Sequence, residues 1–278
     1  MDINMKSESK YERLLEVIRP HKRAVVAFSG GVDSTLLAYA VAEALGRENV
    51  VCVTARAAAF PQREFEDAEA FCAAQGIRHE LIDFDGLGVD GFAENPPDRC
   101  YLCKFALFSR FIAFAEGEGI GAVFDGSNTD DTGDYRPGMR AILELGVKSP
   151  LCEAGLSKAD IRAILKALGL PVWDKPPLAC LATRIPYGET ITAEKLGMAE
   201  RAEQFLCDGG FKQARVRVHG NDSFTARIEV MPEEIARIAG GPLRAEIEAY
   251  FKGLGFTYIT LDLTGYRMGS MNEGLQGV

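Results

Sequence analysis

Ser29-Gly30-Gly31-Val32-Asp33-Ser34 is the stretch whose residue types and spacing most directly specify chemistry. Two adjacent glycines let the backbone take unusual φ values and approach a ligand closely. Ser29 and Ser34 add hydroxyl donors. The run that follows, Ser34-Thr35-Leu36-Leu37, opens a helix whose first turn carries unpaired N–H groups and about half a positive charge. That combination cradles an anion, most directly a phosphate. The stretch has neither G-x-x-x-x-G nor a following Gly-Lys-Ser/Thr, so it is not a Walker A loop.

Other candidates follow downstream. Gly126-Ser127-Asn128-Thr129-Asp130-Asp131 is polar and begins where an apolar strand ends. Asp130 and Asp131 offer oxygen ligands of the kind Mg²⁺ takes, although an Asx-rich turn has the same composition. Of seven cysteines, three stand apart. Cys100 and Cys103 form C-x-x-C, expected in a loop just before a helix, and Cys180 stands close to Arg184. A lone C-x-x-C fits a metal site, a dithiol redox pair or coincidence; a zinc ribbon would need a second pair. Cationic neighbours at Arg99, Lys104 and Arg184 favour thiolate, the nucleophilic and ligating form. Cys52, Cys72, Cys152 and Cys207 are scattered and read as small core hydrophobes. Arg215 and Arg217 alternate along a predicted strand and so share a face. Two guanidinium forks suit a nucleotide phosphate or a carboxylate, against the plainer reading of an exposed charged strand. His21, His79 and His219 show no metal-ligand spacing and are assigned no role.

The elements that must position these residues read as a doubly wound α/β arrangement. Valine-rich Ala24 to Phe28, Val50 to Thr54 and Ala122 to Asp125 read as short buried strands, and His79 to Ile82 as a further strand. Helical patterns alternate with them, from about Ser34 to Leu45, Gln62 to Gln75 and Lys104 to Glu118. Such alternation implies right-handed βαβ units and a Rossmann-like parallel sheet. Ligands then sit beyond the carboxyl ends of the strands, which brings Ser29 to Ser34, Thr54 and Asn128 around one crevice. Gly86-Leu87-Gly88-Val89-Asp90-Gly91 matches G-x-G-x-x-G, but Asn95-Pro96-Pro97 follows instead of a helix, so it reads as a loop. Ser157-x-x-Asp160 is a capping pattern. Beyond a proline-bounded connector, Lys175 to Gly188, the order becomes α-β-β-α-α-β. A smaller α+β domain is therefore expected over residues 188–278, after a nucleotide-type domain over 1–187.

Composition bounds the function. The 278 residues carry 31 Lys+Arg against 40 Asp+Glu, a net charge of -9. That balance lacks the footprint of a nucleic-acid binder. The polar start and the absence of a ~20-residue apolar run give neither a signal-peptide nor a membrane-span pattern, so a cytoplasmic protein is expected. The odd cysteine count argues against a disulfide framework.

Ser29 to Ser34 resembles S-G-G-x-D-S, the pyrophosphate-binding loop of the PP-loop ATPases. Together with D-R-C-Y-L-C-K, D-G-S-N-T-D-D, R-P-G, S-P-L and C-L-A-T-R-I-P-Y-G, it is similar to the LarE family over nearly the whole chain. The resemblance implies ATP-dependent adenylation of a pyridinium biscarboxylate mononucleotide, followed by sulfur insertion, on the route to the nickel-pincer cofactor of lactate racemase. It implies ATP contacts at Ser29, Gly30, Gly31, Asp33, Ser34, Thr54 and Asn128, with Asp33 metal-binding or catalytic and Mg²⁺ at Asp130 and Asp131. Cys180 would be the sulfur-handling cysteine. With Cys100 and Cys103 it would hold a [4Fe-4S] cluster, a route favoured over sacrifice of Cys180 because C-x-x-C has no part in the latter. Arg215 and Arg217 match the family's phosphate-binding arginines, with Arg184, Glu203 and Glu229 beside the substrate. The partner implied is a small nucleotide, with no nucleic acid or membrane, in a homo-oligomer. The rivals are a tRNA thiolase, an amidotransferase-type synthetase domain, and a non-catalytic nucleotide or iron–sulfur sensor.

Overall fold

The computed structural model describes residues 5–133, 137–176 and 179–275. Arg136 of the R-P-G motif and residues 177–178 of the connector lie outside them. The chain forms two compact units. The first comprises Met1–Ala57, Gln62–Gly86 and Asp98–Leu178; the second comprises Ala58–Pro61, Leu87–Pro97 and Ala179–Val278.

The first unit opens with α1 (Met5–Ile18), β1 (Ala24–Ala27) and α2 (Val32–Leu45). Then come β2 (Val50–Arg56), α3 (Gln62–Gln75), β3 (Arg78–Asp83), α4 (Arg99–Gly117) and β4 (Val123–Phe124). It closes with α5 (Pro137–Glu144), α6 (Pro150–Glu153) and α7 (Lys158–Ala167). The strands form one parallel sheet in the order β3-β2-β1-β4. Its central strands are valine-rich and buried because helices cover them, as all-parallel sheets require. The core joins Leu14 and Ile18 of α1, Leu36, Leu37 and Val41 of α2, Val26, Phe124, and Ile161, Ile164 and Leu165 of α7.

Strand order explains where the site lies. The chain winds outward from β1 to β2 and β3, then returns to place β4 on the other side of β1. The strand order thus reverses between β1 and β4, and in open α/β sheets ligands bind at the carboxyl ends of the strands beside such a switch point. Ser157 caps α7: its hydroxyl accepts from the Asp160 N–H at 3.3 Å, and the Asp160 carboxylate accepts from the Ser157 N–H at 3.0 Å. This reciprocal cap fixes where the helix begins.

The second unit contains α8 (Ala193–Asp208), β5 (Ala214–His219), β6 (Phe224–Val230), α9 (Ile235–Ala239), α10 (Leu243–Gly253) and β7 (Phe256–Leu261). β5 and β6 are an antiparallel hairpin pair; β7 joins β6 in parallel after the α9–α10 crossover. Val216, Val218, Ala226, Ile228 and Val230 pack with Met198, Ala202, Leu206, Phe251 and Phe256. Strand alternation leaves the charged residues on the opposite sheet face.

The division between units falls at Leu178/Ala179 rather than at 187/188. Arg184 is tied to Glu203 of α8, so the segment after Ala179 packs with the second unit. Two earlier segments join it. Leu181 N–H donates to Ala59 O at 2.8 Å, and Ile191 N–H to Ala93 O at 2.8 Å. The G-x-G-x-x-G stretch is indeed irregular, and its Leu87–Pro97 portion belongs to this second unit. There Asn95 is fully buried at φ 57° and donates through Nδ2 to the carbonyls of Ile185, Pro186 and Glu189. Asparagine tolerates this left-handed conformation better than other side chains, and a buried carbonyl left without a donor is costly. Asn95→Ala should lower unfolding stability by about 2–3 kcal/mol, measured by urea denaturation.

Candidate active site

In the first unit, the Ser29–Ser34 loop joins β1 to α2. Gly31 is the extended N-cap residue of α2 and offers no side-chain cap to the first-turn N–H groups. The serines brace the loop: Ser29 N–H donates to Ser34 Oγ at 3.3 Å, and the two hydroxyls lie 3.1 Å apart. Gly30 sits at φ +67°, and a Cβ there would stand 3.3 Å from Glu64 O and Ala68 N of α3. Both the conformation and the close approach call for glycine. Gly126, just after β4, is equally confined, since a Cβ would stand 3.3 Å from the Ser34 N. The loops after β1 and β4 thus meet at the start of α2.

Thr54 is buried at the end of β2, where Oγ1 donates to Phe28 O at 2.6 Å and lies 2.8 Å from His79 Nε2. Its hydroxyl holds the residue that precedes the phosphate-type loop. Asn128, also buried, accepts the Asp130 N–H at 2.9 Å, and its own N–H donates to Asp131 at 3.0 Å. Asp130 also accepts the Lys158 N–H at 2.9 Å. One oxygen of each acid therefore holds the turn. Asp125 supports it from below, accepting hydrogen bonds from the hydroxyls of Ser127 and Ser149.

Asp33 lies in the first turn of α2, paired with the Lys158 ammonium. Its other oxygen, Oδ1, is buried with no hydrogen-bond partner among the described residues. Burial pushes the Asp33 carboxyl up, and Lys158 opposes that shift. An unpartnered carboxylate oxygen beside an anion cradle fits a divalent cation that bridges phosphates. On the other side of the loop, Lys175 Nζ donates to Gly30 O at 3.2 Å and to Asp67 at 2.6 Å.

Cys100 and Cys103 lie within α4, not in a loop before it. Pro96 and Pro97 end the preceding segment, and the N–H groups of Tyr101 and Leu102 already bond back to Asp98 O. The helix therefore begins at Arg99, and i,i+3 spacing puts both thiols on one side of its first turn. Cys100 is exposed and Cys103 half-buried. Among the described residues no group of three or more His, Cys, Asp or Glu is set to hold a metal. Of the cysteines read as core, Cys52 and Cys72 are buried, but Cys152 is half-buried and Cys207 exposed.

The second unit carries a buried charged constellation. Arg184, 1% exposed, grips Glu203 of α8 with two bonds of 2.7 and 2.8 Å, and Glu203 also accepts the Val216 N–H at 2.9 Å. Arg184 Nη1 donates to the carbonyls of Ala179 and Cys180 at 3.0 and 3.3 Å, which fixes the backbone that carries Cys180. Burial would push the Glu203 carboxyl up, but the Arg184 charge and hydrogen bonds hold it below the usual range. Arg215 and Arg217 share a face and are both buried, so the exposed-strand alternative does not hold. Burial, then repulsion from Arg184, brings the Arg215 guanidinium down to about 10. Arg217 bonds Glu229 at 2.6 Å and Ser270 at 3.1 Å, while Arg227, its cross-strand partner, bonds Glu229 at 3.1 Å. The Nε atoms of Arg217 and Arg227 are buried donors with no partner among the described residues. Such donors suit the oxygens of a phosphate or carboxylate.

Lys158, Lys175, Asp125 and Arg227 were not singled out by sequence reasoning. Lys158 and Lys175 meet Asp33 and Gly30 across separations of 125 and 145 residues, so no local spacing marks them. Arg227 could have been found, because it alternates in the strand facing Arg215 and Arg217.

Glu203→Gln leaves a buried guanidinium without its counter-charge and should cost about 3–5 kcal/mol in urea unfolding. Because the folded Glu203 pKa is depressed, its stabilisation is present above the ordinary glutamate range and is lost as pH falls through the folded value. The variant should lack that share of the acid dependence.

Comparison with known proteins agrees with this architecture. The NAD synthase family model matches residues 13–92, which hold β1, the loop and α2. An uncharacterized protein of Synechocystis sp. is 43% identical over 268 residues, 96% of this chain and 98% of its own. An NH(3)-dependent NAD(+) synthetase of Pyrococcus horikoshii is 30% identical over 166 residues, 58% of this chain and 63% of its own. The pyridinium-3,5-bisthiocarboxylic acid mononucleotide synthase of Lactiplantibacillus plantarum is 38% identical over 268 residues, 96% of this chain and 95% of its own. With identity at that level sustained over nearly the full length of both chains, this chain is an enzyme of the LarE family in the PP-loop superfamily.

Proposed function

We propose that this protein uses ATP to adenylate a carboxyl group of pyridinium-3,5-biscarboxylate mononucleotide and then replaces the activated oxygen with sulfur. One observation carries the reading. In a chain alike along its length to the named synthase, the loops after β1 and β4 converge on an uncapped α2 N-terminus beside Asp33.

A substrate carboxylate oxygen attacks the α-phosphorus of ATP, and pyrophosphate leaves. Ser29, Gly30, Gly31 and Ser34 bind that pyrophosphate by loop donors and the helix dipole. Thr54 and Asn128 line the nucleotide side of the crevice. Asp33, with Asp130 and Asp131, would hold the Mg²⁺ that accompanies ATP, and the ion would offset the negative charge of the phosphates. The acyl adenylate turns an inert carboxylate into an acyl group with AMP as leaving group. A sulfur nucleophile then attacks the carbonyl carbon, AMP departs, and the thiocarboxylate results.

In this reading the first unit carries adenylation, and the second unit, with Arg184 and Glu203, carries substrate binding and assembly. Arg215 and Arg217 hold the mononucleotide's anionic groups, and Glu229 orients Arg217. Cys100, Cys103 and Cys180 supply three thiolates for a [4Fe-4S] cluster; the cysteine pair on one side of α4 is compatible with that role, and Cys180 belongs to the second unit. When bound, such a cluster would supply the sulfur nucleophile. No helix of the described residues is long and apolar enough to cross a membrane. The reading implies a cytoplasmic homo-oligomer acting on a small nucleotide.

Anaerobically prepared protein given MgATP, sulfide and the pyridinium dicarboxylate mononucleotide should release AMP and pyrophosphate together, with thiocarboxylate detected by mass spectrometry. ATP binding without AMP release would instead favour a sensor, and AMP release on tRNA would favour a thiolase. Iron and acid-labile sulfide should accompany the active protein; iron-free protein that still forms thiocarboxylate over several turnovers would eliminate the cluster.

A further inference from the structure

The phosphate-type loop has no lysine of its own, unlike a Walker loop, in which a lysine reaches the β- and γ-phosphates. A polyphosphate carries more charge than loop dipoles alone neutralise. Two ammonium groups approach the loop. Lys158 is committed to the half-buried Asp33 carboxylate. Lys175 is held differently.

The Lys175 backbone is clamped. Arg162 donates to Trp173 O and, at 2.8 Å, to Lys175 O, while Lys175 N–H donates to Val172 O at 2.9 Å. The side chain reaches the loop from that anchor, with Nζ 3.2 Å from Gly30 O. That carbonyl shares a peptide with the Gly31 N–H, so the ammonium stands one peptide's width from the loop donors. Its acceptors are exchangeable ones. Asp67 is mostly exposed at 2.6 Å, and Glu64 Oε1 stands 3.6 Å away, outside hydrogen-bond reach. Glu64 Oε1 is itself buried without a hydrogen-bond partner among the described residues. The ammonium is therefore held close to the loop without being locked into a saturated buried pair.

We infer that Lys175 is the cation for the β- and γ-phosphates of the bound nucleoside triphosphate, held on Asp67 until the ligand arrives and then transferred to the polyphosphate. The inference rests on the ATP reading above and adds the residue that supplies what the loop lacks. The ammonium moves by rotation of a flexible four-carbon stem, and no bond forms or breaks. The same charge stays on pyrophosphate after the α–β bond is cleaved. AMP, which lacks those phosphates, makes no contact with it.

Titration calorimetry on the full chain, with MgATP, inorganic pyrophosphate and AMP as separate ligands, tests this. Lys175→Met should weaken pyrophosphate and MgATP about tenfold or more and leave AMP within about twofold, the loss expected for one desolvated charge-assisted contact. Asp67→Asn removes the competing charge and should tighten pyrophosphate a few-fold. Lys175→Arg should keep part of the affinity. Unchanged pyrophosphate binding in Lys175→Met, equal loss of AMP, or weakening in Asp67→Asn would each overturn the inference, the last two by making the Lys175–Asp67 pair structural. Wild-type protein that binds neither MgATP nor pyrophosphate would overturn the ATP reading as well, which keeps the two failures distinct.

Discussion

Two glycines where a side chain would crowd neighbouring backbone set the geometry of the first unit. At Gly30 the backbone of α3 stands 3.3 Å from where a Cβ would lie, and at Gly126 the first turn of α2 is as close. The contacts are backbone to backbone, so no rotamer change relieves them. They hold α3, the loop after β1 and the loop after β4 against the same helix end. The N–H groups of α2 are thereby kept uncapped yet surrounded, which is the state in which a helix terminus binds an anion rather than water. Ser29 and Ser34 complete the brace, while Thr54 fixes Phe28 O at the loop's start.

The second unit follows a different rule. It buries charge, which costs several kcal/mol per ion unless pairing and hydrogen bonds offset the loss of water. Glu203 is fully compensated, with Arg184 on both oxygens and the Val216 N–H on one of them. Glu229 is shared by Arg217, Arg227 and Ser270. Four buried or half-buried arginines thus face Glu203, Glu229 and Asp262, an excess of positive charge on one sheet face. The Arg215 guanidinium, lowered by burial and by its neighbour Arg184, registers that excess. In the proposed function these arginines meet the anionic groups of a small nucleotide, in a chain whose overall charge is -9.

Much of this was legible in sequence because the determinants were local. Valine runs bounded by turns marked the parallel strands, and Ser157-x-x-Asp160 marked the start of α7. The alternation of Arg215 and Arg217 put them on one face, as found. What was missed depended on long-range placement. Asn95 looked like part of a proline-rich loop, yet its amide holds carbonyls some ninety residues further along the chain. The unit boundary shifted for the same reason, since the Arg184–Glu203 pair outweighs the proline-rich connector as a marker. The start of α4 was misplaced because Asp98 makes no side-chain cap bond and the signal lay in the backbone alone.

The lysines show how a loop can be built without its own cation. A lysine fixed inside the loop would leave the ligand-free site strongly positive and would bind any phosphate. Here each ammonium enters from a later segment with a carboxylate beside it: Lys158 with Asp33, and Lys175 with Asp67 and Glu64. Each ammonium thus has a counter-charge beside it, so neither is left uncompensated in a half-buried place. A metal-bound polyphosphate changes that balance from both ends, since its cation can meet Asp33 while its oxygens draw on the ammonium groups. Carboxylates that compete with phosphate for the same lysines weaken single phosphates most, because a lone phosphate brings neither the metal nor enough oxygens to replace the contacts it displaces. In the proposed function, preference for a metal-bound polyphosphate over orthophosphate would then come from charges already paired in the protein.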